Sequence, residues 1–244
     1  MRTVRNPRSD STIQVASGRP PSEGRPKRKR NARGQGERLT EEIVSGALSI
    51  IEREGTDEAV TLRAVAREVG IAAPSIYAHF SDRESIMLAV VARVFDELTQ
   101  AISQARAAAG VDPVESLVAG CEAYVAFGLR RPARYRVLFS ESRTATDDSW
   151  RDYCKPVEFA PNGAPVLEFG AESFALLVDA LAACIAAGRS ASIDAMADST
   201  AIWVALHGTV SLQSSAPGFP WPEPDDFVRQ FVLRLARITP EPPA

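Results

Sequence analysis

The sequence predicts an all-α protein of about nine helices, divided into a small three-helix unit near the N-terminus and a larger helical bundle behind it. Three observations carry this. After residue 39, apolar residues recur at the three- and four-residue steps that align one face of an α-helix. The helical stretches are bounded by start and stop signals, typically Thr, Ser or Asp before and Gly or Pro after. No stretch of useful length alternates apolar and polar residues as a half-buried strand does, so no sheet is expected.

The 244 residues and 26.3 kDa suffice for one sizeable core or for a small domain joined to a larger one. With 45% hydrophobic and 24% charged residues, the composition excludes collagen, a disulfide miniprotein and wholesale disorder. Cys121, Cys154 and Cys184 form neither a CxxC pair nor a Cys/His cluster, so no metal or cofactor is expected, and a reducing cytoplasm suits the chain. No apolar run at the N-terminus resembles a secretory signal. The longest uncharged run, 199–222, includes His207, Gln213, several serines and three prolines, which excludes a membrane span.

Net charge divides the chain sharply. Residues 1–38 hold 11 Lys and Arg against 3 acids, and the remainder holds 17 against 28. This arm, rich in Arg, Pro, Ser and Gly, has too little aliphatic content to offset its chain entropy and is expected to be disordered. Its +8 charge points to a polyanionic partner. Order is expected from Leu39, with Thr40 as N-cap and Ile43, Ala47, Ile50 and Ile51 on one face until Gly55. Thr61 opens a second helix, with Leu62, Val65, Ala66 and Val69 on one side and Gly70 closing it. A third helix of about two turns is expected over 73–80, with Pro74 in its first turn.

Ser81 and Glu84 have the spacing of a capping box opening a fourth helix of about 28 residues, or about 42 Å. Asp112-Pro113-Val114-Glu115 starts a fifth helix, and Pro132 restarts a sixth that runs to Ser140. Residues 141–164 read as a long loop, and helical patterns resume over 165–188, 194–214 and 225–238. The expected units are therefore 1–38 as basic arm, 39–83 as the three-helix unit and 84–244 as the bundle.

Two short helices joined by a three-residue turn that starts on glycine have the helix-turn-helix layout, which places its second helix in the DNA major groove. The residues from Thr61 to Arg83, TLRAVAREVGIAAPSIYAHFSDR, closely resemble the signature of the TetR family of bacterial transcription regulators, and the likeness extends over 39 to about 91. Ile202-Trp203-Val204-Ala205-Leu206-His207-Gly208 resembles the Trp/His/Gly motif of one class of C-terminal domain in that family. The resemblance implies a homodimer that binds a palindromic double-stranded DNA operator, most often as a repressor released by a small-molecule effector. Position by position, it implies that Thr61 and Arg63 contact phosphate or base, that Ala72, Ala73, Ser75 and Ile76 face the groove, and that Tyr77, His79 and Arg83 contact phosphate. Arg83 stands where the family usually has lysine.

The chemistry of these residues agrees: Arg63 suits guanine, Ala72, Ala73 and Ile76 suit thymine methyls, and Tyr77, His79 and Arg83 can donate to phosphate oxygens. On the residues alone, the other reading is that Tyr77 and Phe80 are core aromatics, with His79 and Arg83 as solvated surface groups. Residues 39–83 carry four Arg against eight acids, so the missing cations are expected from the arm, notably Arg28, Lys29 and Arg30. A solubilising leader is the other reading of that arm. Candidate effector-pocket residues are Tyr124, Phe127, Phe139, Trp150, Phe174, Trp203 and His207, each of which is also an ordinary packing residue at its spacing. Val228, Phe231, Val232 and Leu235 form an apolar stripe expected at a dimer interface, and Gly208 with Ala201 and Ala205 offers a second close-packing face. With two histidines, no nucleophile elbow and no phosphate loop, an enzyme is not expected. An architectural DNA-binding protein that uses the basic arm without operator specificity is the alternative.

Overall fold

A computed structural model of the chain describes residues 36–139, 158–159, 165–166 and 170–240. Arg28, Lys29, Arg30 and Trp150 lie outside the described residues. Among the described residues there are nine helices. The headpiece comprises α1 (Gly36–Glu54), α2 (Leu62–Val69) and α3 (Ala73–Ile76). The body comprises α4 (Arg83–Ala108), α5 (Pro113–Arg130), α6 (Pro132–Leu138), α7 (Ala171–Ala186), α8 (Ala195–Ser215) and α9 (Pro224–Leu235). Two strands of two residues each, β1 (Glu158–Phe159) and β2 (Pro165–Val166), pair antiparallel.

The all-α class stands, with several local corrections. Helix α1 begins at Gly36, inside the segment expected to belong to the arm, and Thr40 is therefore within the helix rather than its cap. Its hydroxyl bonds back to the Gly36 carbonyl at 3.2 Å. Helix α4 is capped one residue later than expected: Asp82 accepts from the Ser85 N–H at 2.7 Å and Ser85 Oγ accepts from the Asp82 N–H at 3.3 Å. Serine can fill the return position because its hydroxyl reaches the cap amide, so the box is Asp82/Ser85 and not Ser81/Glu84. Helix α3 is a single turn, followed by a tight turn in which the His79 and Phe80 amides both return to the Ile76 carbonyl. The seventh helix starts at Ala171, because Pro165 and Val166 belong to β2. Gly170 precedes it at φ +83°, and a Cβ there would stand 2.7 Å from the Phe95 ring.

Other caps follow the sequence. Thr61 accepts from the Ala64 N–H, and Gly70 closes α2 at φ +75°, ψ +33°, the left-handed geometry that lets the chain turn at once into α3. Asp112 and Asp194 cap α5 and α8.

One continuous core runs from headpiece to body. Ile43, Ile50 and Ile51 of α1 meet Val65 and Ala66 of α2, Ile76 of α3 and Ile86 of α4, all buried. Farther along, Val94, Leu98 and Ile102 of α4 face α5, the central helix of the body, against which α7, α8 and α9 also pack. Because α4 is buried in both halves, it ties them without a hinge loop.

Candidate nucleic-acid interface

Burial sorts the predicted DNA-facing residues. Thr61, Arg63, Ala72, Ser75 and Tyr77 are exposed, with Tyr77 at 63%, and Ala73 is half-buried. Ile76 is 0% exposed and packs in the core, so it offers nothing to a thymine methyl. A one-turn helix has too few residues for periodicity to assign faces, and its one aliphatic side chain goes inward. Phe80 is a core residue too, which separates it from the exposed Tyr77.

His79 is half-buried and its Nδ1 lies 3.0 Å from Thr40 Oγ, joining the turn after α3 to the first turns of α1. Arg83 is turned away from the expected phosphate position. Its Nε donates to the Val60 carbonyl at 2.9 Å, and its Nη2 donates to the Asp57 carbonyl at 2.8 Å and to Asp57 Oδ2 at 3.2 Å. The side chain braces the α1–α2 connection just before Thr61.

The acidity of the headpiece is also rearranged by pairing. Glu41, Glu42 and Glu52 are met by Arg93, Arg38 and Arg134, none of which belongs to the 39–83 segment. Arg53 takes Glu54 and Glu68, and Arg83 takes Asp57. Among the described residues, Arg63 and Arg67 have no carboxylate partner, and they stand one turn apart on the exposed side of α2. Arg67 was missed in the sequence; its four-residue spacing from Arg63 was the available signal. The α2–α3 face thus offers two unpaired guanidiniums beside the hydroxyls of Thr61, Ser75 and Tyr77.

In the body, five of the predicted pocket residues come together. Phe174 meets Trp203 edge to face at 6.0 Å, Trp203 lies 6.5 Å from His207, and His207 touches Phe139 at 4.4 Å. Tyr135, absent from the sequence prediction, is the hub: it contacts Tyr124, Phe139 and His207. Its hydroxyl lies 2.9 Å from Tyr124 Oη and 2.8 Å from His207 Nδ1, a chain that is buried at the tyrosines and half-buried at His207. Burial pushes the Tyr124 phenol up to about 12, raises that of Tyr135 and holds the His207 imidazolium below its usual range. Phe127 is buried apart from this group, under the Arg131 guanidinium.

The predicted dimer stripe on α9 is largely consumed within the protomer. Val228 and Val232 are buried, and Phe231 and Leu235 are half-buried. Helix α8 instead leaves Val204 at 60% and Leu212 at 55% exposed, in line with exposed Ala201 and with Gly208, where a Cβ would meet nothing within 4 Å.

An all-α chain whose short α2 and α3 present exposed donors across a glycine turn is a helix-turn-helix DNA-binding protein. Residues 43–90 match the family described as bacterial regulatory proteins, tetR family, and residues 117–235 match the tetracyclin repressor-like C-terminal domain. An uncharacterised HTH-type transcriptional regulator of Mycobacterium tuberculosis is 29% identical over 80% of this chain and 79% of its own length. In fold, the chain is similar to a Rhodococcus sp. RHA1 protein of unknown function, at TM-score 0.65 and 24% identity over 82% of this chain and 94% of that one. It is also similar to a tetR-family regulatory protein from Rhodococcus RHA1, at TM-score 0.57 and 18% identity over 81% and 95%. The chain belongs to the TetR family of DNA-binding transcription regulators, whose members are not enzymes.

Proposed function

We propose that this regulator is a cytoplasmic homodimeric repressor that binds a palindromic operator and is released by a small-molecule effector. The observation that carries the DNA assignment is the exposed α2–α3 face, where Arg63 and Arg67 have no carboxylate partner among the described residues while the other headpiece arginines are spent on acids. In this reading Arg63 reads a base, Thr61, Ser75 and Tyr77 hold phosphates, and Arg67 adds a phosphate contact. His79 and Arg83 act behind them by fixing the turn after α3 and the start of α2. The arm, with Arg28, Lys29 and Arg30, supplies further phosphate contacts.

Dimerisation is assigned to the outer face of α8, Ala201, Val204, Gly208 and Leu212, where small residues allow close approach and two large apolar side chains stand in water. Selection of bound genomic fragments followed by footprinting tests the whole reading. A short palindromic footprint is expected. Uniform coverage would instead favour a non-specific, architectural role.

A further inference from the structure

A cleft of about 540 Å³ lies between the headpiece and the body, within the range of roughly 300–1,000 Å³ typical of small-molecule sites. We propose that this cleft binds an organic carboxylate and that Arg136 reads its charge. The proposal rests on the reading of the chain as an effector-released regulator and gives that effector a place and a chemical class.

The lining is divided by chemistry. Tyr135, Phe139 and His207 form an aromatic wall, and Ser211 and Ser214 of α8 and the α1–α2 connection at Gly55 to Asp57 complete the lining. Arg136 is the cation of the lining. Among the described residues it has no carboxylate partner, and Nη2 donates to the Gly55 carbonyl at 2.8 Å. Its neighbour on α6, Arg134, is held by Glu52 and Glu97. Asp57, the acid in the lining, is occupied by Arg83. An exposed guanidinium offers a carboxylate a two-donor edge, Nε/Nη2 or Nη1/Nη2, and both edges include the Nη2 that rests on the Gly55 carbonyl, so a bidentate carboxylate takes Nη2 from that carbonyl. A cationic ligand would face Arg136 and find no free acid.

The position gives the ligand a direct line to DNA. Gly55 opens the connection whose later carbonyls, Asp57 and Val60, are held by Arg83 and which ends at Thr61, the cap of α2. A carboxylate that draws Arg136 from the Gly55 carbonyl loosens α6 from this connection. By linkage, DNA then weakens carboxylate binding by the same factor that the carboxylate weakens DNA binding.

The test uses the full-length chain and three carboxylate probes, 2-naphthoate, 4-phenylbutyrate and decanoate, each titrated calorimetrically beside its neutral amide. At least one carboxylate is expected to bind about tenfold more tightly than its amide and to weaken DNA binding. Arg136→Gln should abolish that preference with helicity unchanged. Ser214→Phe, placed at an exposed position of α8, should fill the cleft and block the same probe. Failure of all three carboxylates to bind at millimolar concentration, equal binding of the amides, or a preference that survives Arg136→Gln overturns the proposal. If the chain still binds its operator under those outcomes, the regulator reading stands without this site. An Arg136-dependent preference in a chain that binds no DNA would keep the site and remove the regulator reading.

Discussion

Arg63 owes its availability to what its neighbours do. Arg53 and Arg83 are tied to Glu54, Glu68 and Asp57, and Arg63 is left facing solvent on the helix that Thr61 caps. A bidentate contact to guanine is worth about 1–3 kcal/mol of discrimination, so Arg63→Ala should cost about that much on the preferred operator and relax choice at one base pair per half-site. Tyr77→Phe should weaken all sequences alike. Equal loss for operator and random DNA on Arg63→Ala, measured by fluorescence anisotropy, would make Arg63 a phosphate contact instead. His207 carries a pH signature. Burial disfavours its charged form, so the unfolded chain takes up a proton near pH ~6.5 that the folded protein resists until lower pH. Stability should therefore fall as the pH drops through that window and recover above it. Melting temperatures at about pH 5 and pH 7.5 should differ less in His207→Gln than in the parent; an unchanged difference would place the slope elsewhere.

Elements with two apolar sides show what periodicity leaves open. Helix α8 buries Ile202, Leu206 and Val210 against the body and keeps Ala201, Val204 and Leu212 outside. Helix α9 turns Val228 and Val232 inward, towards α5 and α8. An apolar stripe states that a face will be covered, and the neighbour that covers it comes from the fold. Because Val204 and Leu212 of the α8 stripe stand exposed among the described residues, the proposed dimer should be converted to a monomer at micromolar concentration by Val204→Glu without loss of helicity, as read by light scattering after gel filtration. A dimer that survives the substitution would move the interface away from α8.

At the scale of the whole molecule, charge is shared across the headpiece and body. Arg93 and Arg134 reach Glu41 and Glu52 of α1, and Glu97 of α4 receives Arg93, Arg131 and Arg134 together. These pairs reduce the acidity that a count over residues 39–83 assigns to the headpiece, so in the proposed reading the +8 arm would add to the α2–α3 face rather than be its only cationic supply. Each phosphate that the arm neutralises adds roughly 0.9 to the salt slope of binding. Deleting residues 1–33, which stops short of α1 at Gly36, should flatten that slope and weaken operator and random DNA together, with helicity and dimerisation unchanged. A truncated chain with the parent's affinity and slope would assign the arm another task.

The sequence by itself determined the all-α class, the three-helix headpiece, the caps at Thr61, Gly70 and Asp112, and the family, because caps, turns and helical faces are written in neighbouring residues. It also brought forward Tyr124, Phe139, Phe174, Trp203 and His207, which do meet in one aromatic group. Only the tertiary structure decided that Ile76 is core, that Arg83 braces the α1–α2 connection, that Tyr135 joins Tyr124 to His207, and that Val228 and Val232 are already covered. Arg83 meets its partner 23 residues away and Tyr135 meets His207 72 residues away, and the burial of Ile76, Val228 and Val232 depends on how whole helices pack. Side-chain pairing and burial are properties of the three-dimensional neighbourhood, and local spacing carries no record of which distant residue fills it.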